Sequence, residues 1–128
     1  MPFYLLDTNV LIDLAGPRGS APFFDRVLNE ENVRLGTSIL CVAEFMAGAG
    51  KRDGKFLLDW IETDELQVVY LDTVDDALRA GDMRRKRGCS LPDALILASA
   101  LRAKAHLLTH DETLLKRCRD LLPVTDPI

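Results

Sequence analysis

The sequence predicts an α/β fold, a single-domain three-layer sandwich in which helices cover both faces of a short, mainly parallel central sheet. Short apolar runs alternate with helical patterns along the chain, which is typical of parallel strands joined by helical crossovers. The chain has 128 residues, so residues 1–128 are expected to form one domain. Apolar residues make up 48% of the chain, which is enough to fill a buried core between the layers.

In the first half, Gly and Pro residues separate the predicted elements. Gly-Pro at 16–17 ends one helical pattern, and the Gly-Ala-Gly cluster at 48–50 ends another. Apolar side chains at helical spacing indicate a further helix after that cluster. The predicted elements are a strand at 3–6, a helix at 9–15, an amphipathic helix at 21–29, a strand at 33–36, and helices at 38–48 and 54–63.

In the second half, capping residues mark the predicted helices. Asp72 or Thr73 is expected to begin a helix that runs to Arg87, and Gly88 to end it. Ser90 is expected to cap the next helix, in which Pro92 is tolerated in the first turn. The predicted elements are a strand at 67–71, helices at 72–87 and 90–104, a strand at 106–108, a helix at 112–121 and a last strand at 124.

Composition argues against several classes of protein. Lys and Arg number 16 against 20 Asp and Glu, a net charge of −4, which argues against a broadly basic protein that coats nucleic acid. The three cysteines are widely spaced, so neither a disulfide framework nor a zinc site is expected. No run approaches the roughly 18 apolar residues of a membrane span, and the first residues lack a signal-peptide pattern. We expect a cytoplasmic protein that does not contact membranes.

Four carboxylates occupy positions where a charge is costly. Asp7 and Asp111 each follow a predicted buried strand, and Asp93 lies near the start of a helix with few other polar side chains. Glu44 lies inside an apolar helix with no Lys or Arg within helical reach, so its carboxylate is expected to be partly desolvated. Simpler explanations remain open, namely helix capping for the three aspartates and an exposed helix face for Glu44.

The number and placement of these acids favour one shared site. Ionised carboxylates close together need cations between them, and hard oxygen ligands select Mg²⁺ or Mn²⁺. Two such ions could activate water and stabilise the leaving oxygen in phosphodiester hydrolysis. Asn9 and Thr109 supply neutral oxygens at the same strand ends and are expected to orient water or a carboxylate. Glu112 could reach the same crevice, as could Asp13, which lies one helical turn beyond Asn9.

Four motifs in chain order resemble the PIN domain family, and within it the VapC-type toxins of bacterial toxin–antitoxin pairs. The motifs are Leu-Leu-Asp-Thr-Asn-Val-Leu-Ile-Asp at 5–13, Ser38 followed by Glu44, Leu-Pro-Asp-Ala at 91–94, and Leu-Thr-His-Asp at 108–111. The resemblance implies a parallel sheet flanked by helices and a metal-dependent ribonuclease. It implies that an acidic quartet holds the metal. The matching residues of this chain are Asp7, Glu44, Asp93 and Asp111, with Thr109 as a polar helper.

The same resemblance implies partners. They are an RNA substrate, a cognate antitoxin protein and a second copy of the chain in a homodimer. Two alternatives within the family stay open: an RNA-processing nuclease that is not a toxin, and a PIN-like protein that binds without catalysis.

Two other classes of α/β protein with an acidic pocket fit less well. A phosphoacceptor domain would place paired acids after the first strand and a Lys after a late strand. This chain instead has Asp-Thr-Asn at 7–9 and Thr-His at 109–110. A phosphatase of the haloacid dehalogenase type needs an Asp two residues after its nucleophile, where this chain has Asn9.

Two groups of basic residues are candidates for contact with RNA phosphates. The first is the run Arg84, Arg85, Lys86 and Arg87, which could hold phosphates near the Asp93 helix. A helix C-terminus that complements its own dipole is the favoured explanation of this run, and both explanations can hold. The second group is a looser basic loop that contains Lys51 and Arg52 and follows the Glu44 helix.

Overall fold

A five-stranded parallel sheet forms the centre of the protein. The computed structural model describes residues 2–16, 25–26, 29 and 32–127 of the chain. The described strands pair in the order β3-β2-β1-β4-β5, and every pairing is parallel. They are β1 (Phe3–Leu6), β2 (Arg34–Ser38), β3 (Leu66–Val69), β4 (His106–Leu108) and β5 (Val124–Thr125).

Helices flank this sheet, which confirms the predicted α/β class. They are α1 (Thr8–Ala15), α2 (Ile39–Gly48), α3 (Lys51–Glu62), α4 (Val74–Arg87), α5 (Leu91–Ala103) and α6 (Glu112–Arg117). No helix among the described residues is long and apolar enough to cross a membrane.

The helix ends follow the capping chemistry that the sequence predicts. The Thr73 hydroxyl accepts the backbone N–H of Asp76 at the start of α4, and Ser90 accepts that of Asp93 at the start of α5. Gly88 ends α4 in the left-handed conformation, with φ of 67°. This turn therefore places α5, with Asp93 in its first turn, directly after α4.

Several predicted boundaries are wrong by a few residues. The third helix starts at Lys51 rather than at 54, because extended Ala49 and Gly50 interrupt the helix and it restarts at once. The last helix ends at Arg117 rather than at 121, and its C-cap Cys118 is not helical. Most of the helix predicted at 21–29 lies outside the described residues.

The core lies on both sides of β1. Leu5 and Leu6 are fully buried, and burial of one such side chain contributes roughly 1.5–3 kcal/mol. Helix α5 is the most deeply buried of the described helices, as its continuous apolar pattern predicts. Six of its residues are buried, namely Ala94 and all of 96–100. At Gly36 of β2 a Cβ atom would lie 2.5 Å from the ring of Phe3, so a side chain there would displace the ring.

Candidate active site

The strand order places a crevice at the carboxyl ends of β1 and β4. From β1 the chain crosses to β2 and β3 on one side, and then to β4 and β5 on the other. Ligands of open parallel sheets bind at such a switch point, outside the carboxyl ends of the strands. Asp7 directly follows β1, and Thr109 directly follows β4. Two of the predicted site residues therefore begin at the place where this architecture favours binding.

The carboxylate of Asp7 is buried and bonded on both oxygens. It is 5% exposed. One oxygen accepts the backbone N–H of Thr8 at 2.8 Å, and the other accepts the Thr109 hydroxyl at 2.7 Å. Asp7 also acts as the N-cap of α1. The capping explanation is therefore confirmed for this residue, and the cap is compatible with the predicted site role.

Thr109 links the two strand ends. Its hydroxyl, fully buried, donates to Asp7 and accepts the backbone N–H of Asp111 at 3.0 Å. The Asn9 side chain lies beside it, with Nδ2 at 3.5 Å from the Thr109 hydroxyl and Oδ1 accepting the backbone N–H of His110. The neutral oxygens expected at these strand ends thus hold the β4–α6 loop against the start of α1.

Asp111 is the N-cap of α6. Its Oδ1 accepts the backbone N–H groups of Thr113 and Leu114, at 2.8 and 3.3 Å. Within the described residues no hydrogen bond engages its other oxygen, Oδ2. One carboxylate can therefore cap the helix and still present an oxygen to the crevice. Glu112, the next residue, is exposed. Among the described residues, it forms no hydrogen bond with the four acids.

Asp93 provides the electrostatic link among the acids. Burial is the largest of the effects that raise the pKa of its carboxyl, and the negative charges of Asp111, Asp7 and Glu44 raise it further. The hydrogen bond with Ser90 acts in the opposite direction. The pKa of a carboxyl responds to other carboxylates only when they share its surroundings. The four predicted acids, drawn from four separate segments of the chain, are therefore close enough for the other three to influence Asp93.

Glu44 is exposed, so the expectation that its carboxylate is partly desolvated is wrong. The face of α2 that carries it is open, and Cys41 and Phe45 form the buried face instead. Its carboxylate is nevertheless held, because the Thr8 hydroxyl donates to Glu44 Oε1 at 3.1 Å. Sequence reasoning missed Thr8, although it lies beside Asp7 in the first motif.

Cys41 is the second residue that sequence reasoning left out of the site. Its thiol is fully buried and lies 3.8 Å from Asp7 Oδ1. Burial, followed by the charge of Asp7, raises the pKa of Cys41 to about 12, so the thiol stays protonated and can donate to the carboxylate. Cys41 therefore supports Asp7 as a neutral donor.

Lys51, Arg52 and Arg84 are exposed on helices. Lys51 and Arg52 lie in the first turn of α3 rather than in the predicted loop, since the helix restarts immediately after Gly50. Arg52 pairs with Asp53 at 3.1 Å, at the surface. Lys51 and Arg84 make no ion pair with any described residue, which leaves both free to meet a phosphate.

The other members of the 84–87 run are engaged within the protein. Arg85 and Lys86 both pair with Asp82, one turn back on α4. Arg87 pairs with Asp120 and donates to the backbone carbonyl of Arg117. These contacts favour a structural role for the run over RNA binding, because each of these side chains would have to break its ion pair before it could contact RNA.

The donor set matches a hard divalent cation in its chemistry, since it consists of carboxylate and hydroxyl oxygens. Among the described residues, however, no three His, Cys, Asp or Glu side chains are gathered closely enough to hold a metal ion. The four acids influence one another electrostatically but do not form a closed coordination shell. A separate cavity of about 480 Å³ lies at the opposite ends of β1 and β4, beside Tyr4 and His106, and contains none of the four acids.

Residues 4–120 match the PIN domain family, and the chain belongs to that family. The match spans all four motifs, so the predicted resemblance is confirmed. Membership supports a nuclease as the general class of activity. A comparison with curated protein sequences finds no significant match.

Structures of toxin–antitoxin proteins share the fold. A chain of a toxin–antitoxin complex from Klebsiella pneumoniae is 27% identical, with a TM-score of 0.72 and 98% of each chain covered. A chain of VapBC-1 from nontypeable Haemophilus influenzae is 26% identical, with a TM-score of 0.72 and 97% of each chain covered. A chain of VapBC2 from Rickettsia felis, bound to a DNA fragment from its promoter, is 19% identical, with a TM-score of 0.75. The match covers 97% of this chain and 98% of that one.

Proposed function

We propose that the chain is an Mg²⁺- or Mn²⁺-dependent endoribonuclease and the toxin of a toxin–antitoxin pair. The observation that supports the chemistry is the position of Asp7 and Asp111 at the switch point of the sheet, within electrostatic reach of Asp93. The raised pKa of Asp93, caused by burial and by the other three acids, supports that arrangement. The similarity to chains of toxin–antitoxin complexes supports the biological role.

We assign the metal to the acidic quartet. Asp93 and Glu44 bring carboxylates from helices, Asp111 brings its free Oδ2, and Asp7 provides the buried carboxylate at the centre. When bound, the ion would promote attack by water on the phosphodiester and neutralise charge on the leaving oxygen. Acidic oxygen ligands with no histidine among them favour Mg²⁺ or Mn²⁺ over zinc.

The remaining site residues hold this quartet and receive the substrate. Thr109 and Cys41 donate to Asp7, and Thr8 donates to Glu44, so two of the acids have fixed orientations. Asn9 supports Thr109 from the first turn of α1. Phosphate oxygens of RNA would meet the cations of Lys51 and Arg84 at the surface.

The proposed partners follow from the relatives rather than from a contact in this structure. A cognate antitoxin would bind the chain, as in the complexes from Klebsiella pneumoniae and Haemophilus influenzae that it resembles. A homodimer is proposed on the same family basis. The substrate and the antitoxin place the proposed activity in the cytoplasm.

RNA cleavage assays test this function. The purified protein is incubated with tRNA, rRNA and mRNA pools in Mg²⁺, in Mn²⁺ and in excess EDTA, and the new ends are sequenced. We expect a restricted set of cut sites in the presence of either metal and none in EDTA, because the carboxylates alone cannot activate water. The Asp93→Asn protein, purified identically, controls for a contaminating ribonuclease. Equal cleavage by both proteins, or cleavage that persists in EDTA, would contradict the proposal.

A further inference from the structure

His110 joins three segments of the chain from a position between two residues of the site. Its Nε2 lies 2.6 Å from Asp13 Oδ2 on α1, and its Nδ1 lies 2.6 Å from Asp126 Oδ1, directly after β5. Its backbone N–H donates to the side-chain oxygen of Asn9 at 3.1 Å. The backbone N–H and both ring nitrogens of this residue therefore each face a partner.

The two ring contacts make a directional link. Both contacts are 2.6 Å long, which is within hydrogen-bond distance. The ring is about a quarter exposed, the Asp126 side chain is 30% exposed and the Asp13 side chain is 53% exposed, so the contact with Asp126 is the better shielded from water. A planar ring held at both nitrogens cannot rotate without breaking one of the bonds.

The spacing on α1 gives His110 a second attachment to that helix. Asn9 and Asp13 are four residues apart, one helical turn, and lie on the same face of α1. The backbone of His110 contacts the first and its ring contacts the second. The chain at 110 is thus held against α1 at two points and against the C-terminal segment at a third.

The neighbours of His110 in sequence are the site residues Thr109 and Asp111. Thr109 donates to Asp7, and Asp111 presents its free oxygen to the crevice. The loop that carries both residues is only three residues long, from the end of β4 to the start of α6. A change in the path of this loop at 110 therefore moves both site residues.

We propose that His110 is a positioning residue of the active site, which sets the orientation of Thr109 and Asp111 by fixing their loop to α1 and to the segment after β5. It acts through its neighbours and does not contact the substrate. The proposal rests on the proposed function, because RNA cleavage is one of its two readouts.

The test is His110→Gln, whose side chain can donate to one carboxylate but not to both. Because a small displacement of a catalytic group has a large effect on rate, we expect kcat for RNA cleavage to fall on the order of tenfold to 100-fold. We expect KM for RNA to stay unchanged, since the phosphate contacts lie on other helices. In two-dimensional NMR spectra, the amide resonances of Thr109 and Asp111 should shift while those of β2 and β3 remain in place.

His106→Gln is the matched control. His106 is the only other histidine of the chain, and its ring also bonds the C-terminal segment, with Nε2 at 2.7 Å from the Thr125 hydroxyl. It lies at the opposite end of β4 from the site. This variant loosens the same segment without touching the 109–111 loop, so kcat should remain at the wild-type value. Asp126→Asn, a milder change at the other end of the link, should lower kcat in the same direction as His110→Gln.

The outcomes separate positioning from general stabilisation. A fall in kcat with unchanged KM in a His110→Gln protein that melts cooperatively, together with the local amide shifts, supports the proposal. Unchanged kcat in that protein, or an equal fall in His106→Gln, overturns it. If the wild-type chain cleaves no RNA, the proposed function fails, and the NMR comparison still decides whether His110 orients the loop.

Discussion

Asp7 and Asp111 both cap helices and are both proposed ligands of the metal. Each caps a helix, and for Asp111 a single oxygen accepts both backbone N–H groups while the other stays free of hydrogen bonds to the described residues. A position that capping explains completely can therefore still be a site residue. At the scale of single residues, helix capping and metal binding are therefore not mutually exclusive explanations.

Substitutions at Asp111 should separate the two roles. Asn retains an oxygen for the cap, so Asp111→Asn should keep the stability of the protein and lose RNA cleavage with the charge. Asp111→Ala should lose cleavage and also about 1 kcal/mol of stability, because the N–H groups of Thr113 and Leu114 lose their acceptor. Denaturant unfolding and RNA cleavage measured on both variants check this. Equal stability of the two variants would show that the cap contributes nothing.

The four candidate acids stand out in the sequence because each is a charge in or beside an apolar run, and Thr109 stands out at the same strand end as Asp111. The donors Thr8 and Cys41 do not stand out. Thr8 and Glu44 are 36 residues apart, and Cys41 and Asp7 are 34 apart, so nothing local marks either pair. The sequence pattern shows that Cys41 is small and buried, but not which carboxylate it faces.

At the scale of helices, capping residues predicted several boundaries but not the contacts that join one helix to another. Arg87 and Arg117 form a reciprocal link in which each guanidinium donates to the other's backbone carbonyl, at 3.0 and 3.2 Å. Arg117 also donates to the carbonyl of Gly88 at 2.9 Å. The link joins the C-terminal ends of α4 and α6. Asp93 lies in the first turn of α5, directly after α4, and Asp111 caps the start of α6. A basic run alone does not reveal this link.

A side chain should destabilise the protein at Gly88, in a left-handed turn, but not at Gly81. Gly88→Ala puts a Cβ on a left-handed backbone and should cost about 1–2 kcal/mol of stability. Gly81 lies inside α4, where a methyl group would meet only open space, so Gly81→Ala should add roughly 0.5–1 kcal/mol. Chemical denaturation of the two variants measures both changes. Destabilisation of similar size in both would contradict the role given to the Gly88 turn.

The start of α4 makes the stability of the fold depend on pH. Burial acts to raise the pKa of Asp76, but the Thr73 hydrogen bond and the Arg102 charge outweigh it, so its pKa lies below the ordinary value of 3.8. A carboxyl with a lowered folded pKa stabilises the protein above its unfolded pKa. That stabilisation is lost as the pH falls through the folded pKa.

Unfolding experiments at a series of pH values, from neutral to below 3.8, test this dependence. Asp76→Asn should lower the free energy of unfolding near neutral pH and flatten its fall on the acid side. Asp75→Asn, a change of an exposed acid in the same turn, should leave the fall as it is in the wild type. An acid-side fall in Asp76→Asn as steep as in the wild type would contradict the assignment.

At the scale of the whole molecule, the alternation of strands and helices predicts the α/β class but not the order of the strands. The switch point beside β1 becomes visible only when β4 is seen to pair with β1 rather than with β3. That order explains why residues at 7 and 109, about a hundred positions apart, bond to each other. Local sequence patterns therefore do not predict the strand order that brings these residues together.

The net charge of −4 is consistent with a nuclease once the site is taken into account. If the four proposed ligands are set aside, 16 acids remain against 16 bases. An acidic total excludes a broadly basic coat, but cations bound at the quartet would remove the repulsion of phosphate at the crevice. The surface outside the site then has no excess charge of either sign.

The rate of RNA cleavage as a function of Mg²⁺ concentration, in wild-type and Asp93→Asn proteins, tests the central claim most directly. We predict a metal-dependent rate in the wild type and a loss of at least about 100-fold in the variant, because a ligand of the shared cation is gone. The variant should melt no lower than the wild type, since removal of one carboxylate relieves repulsion among the acids. Wild-type cleavage by a folded Asp93→Asn protein would contradict the claim that these acids form the active site.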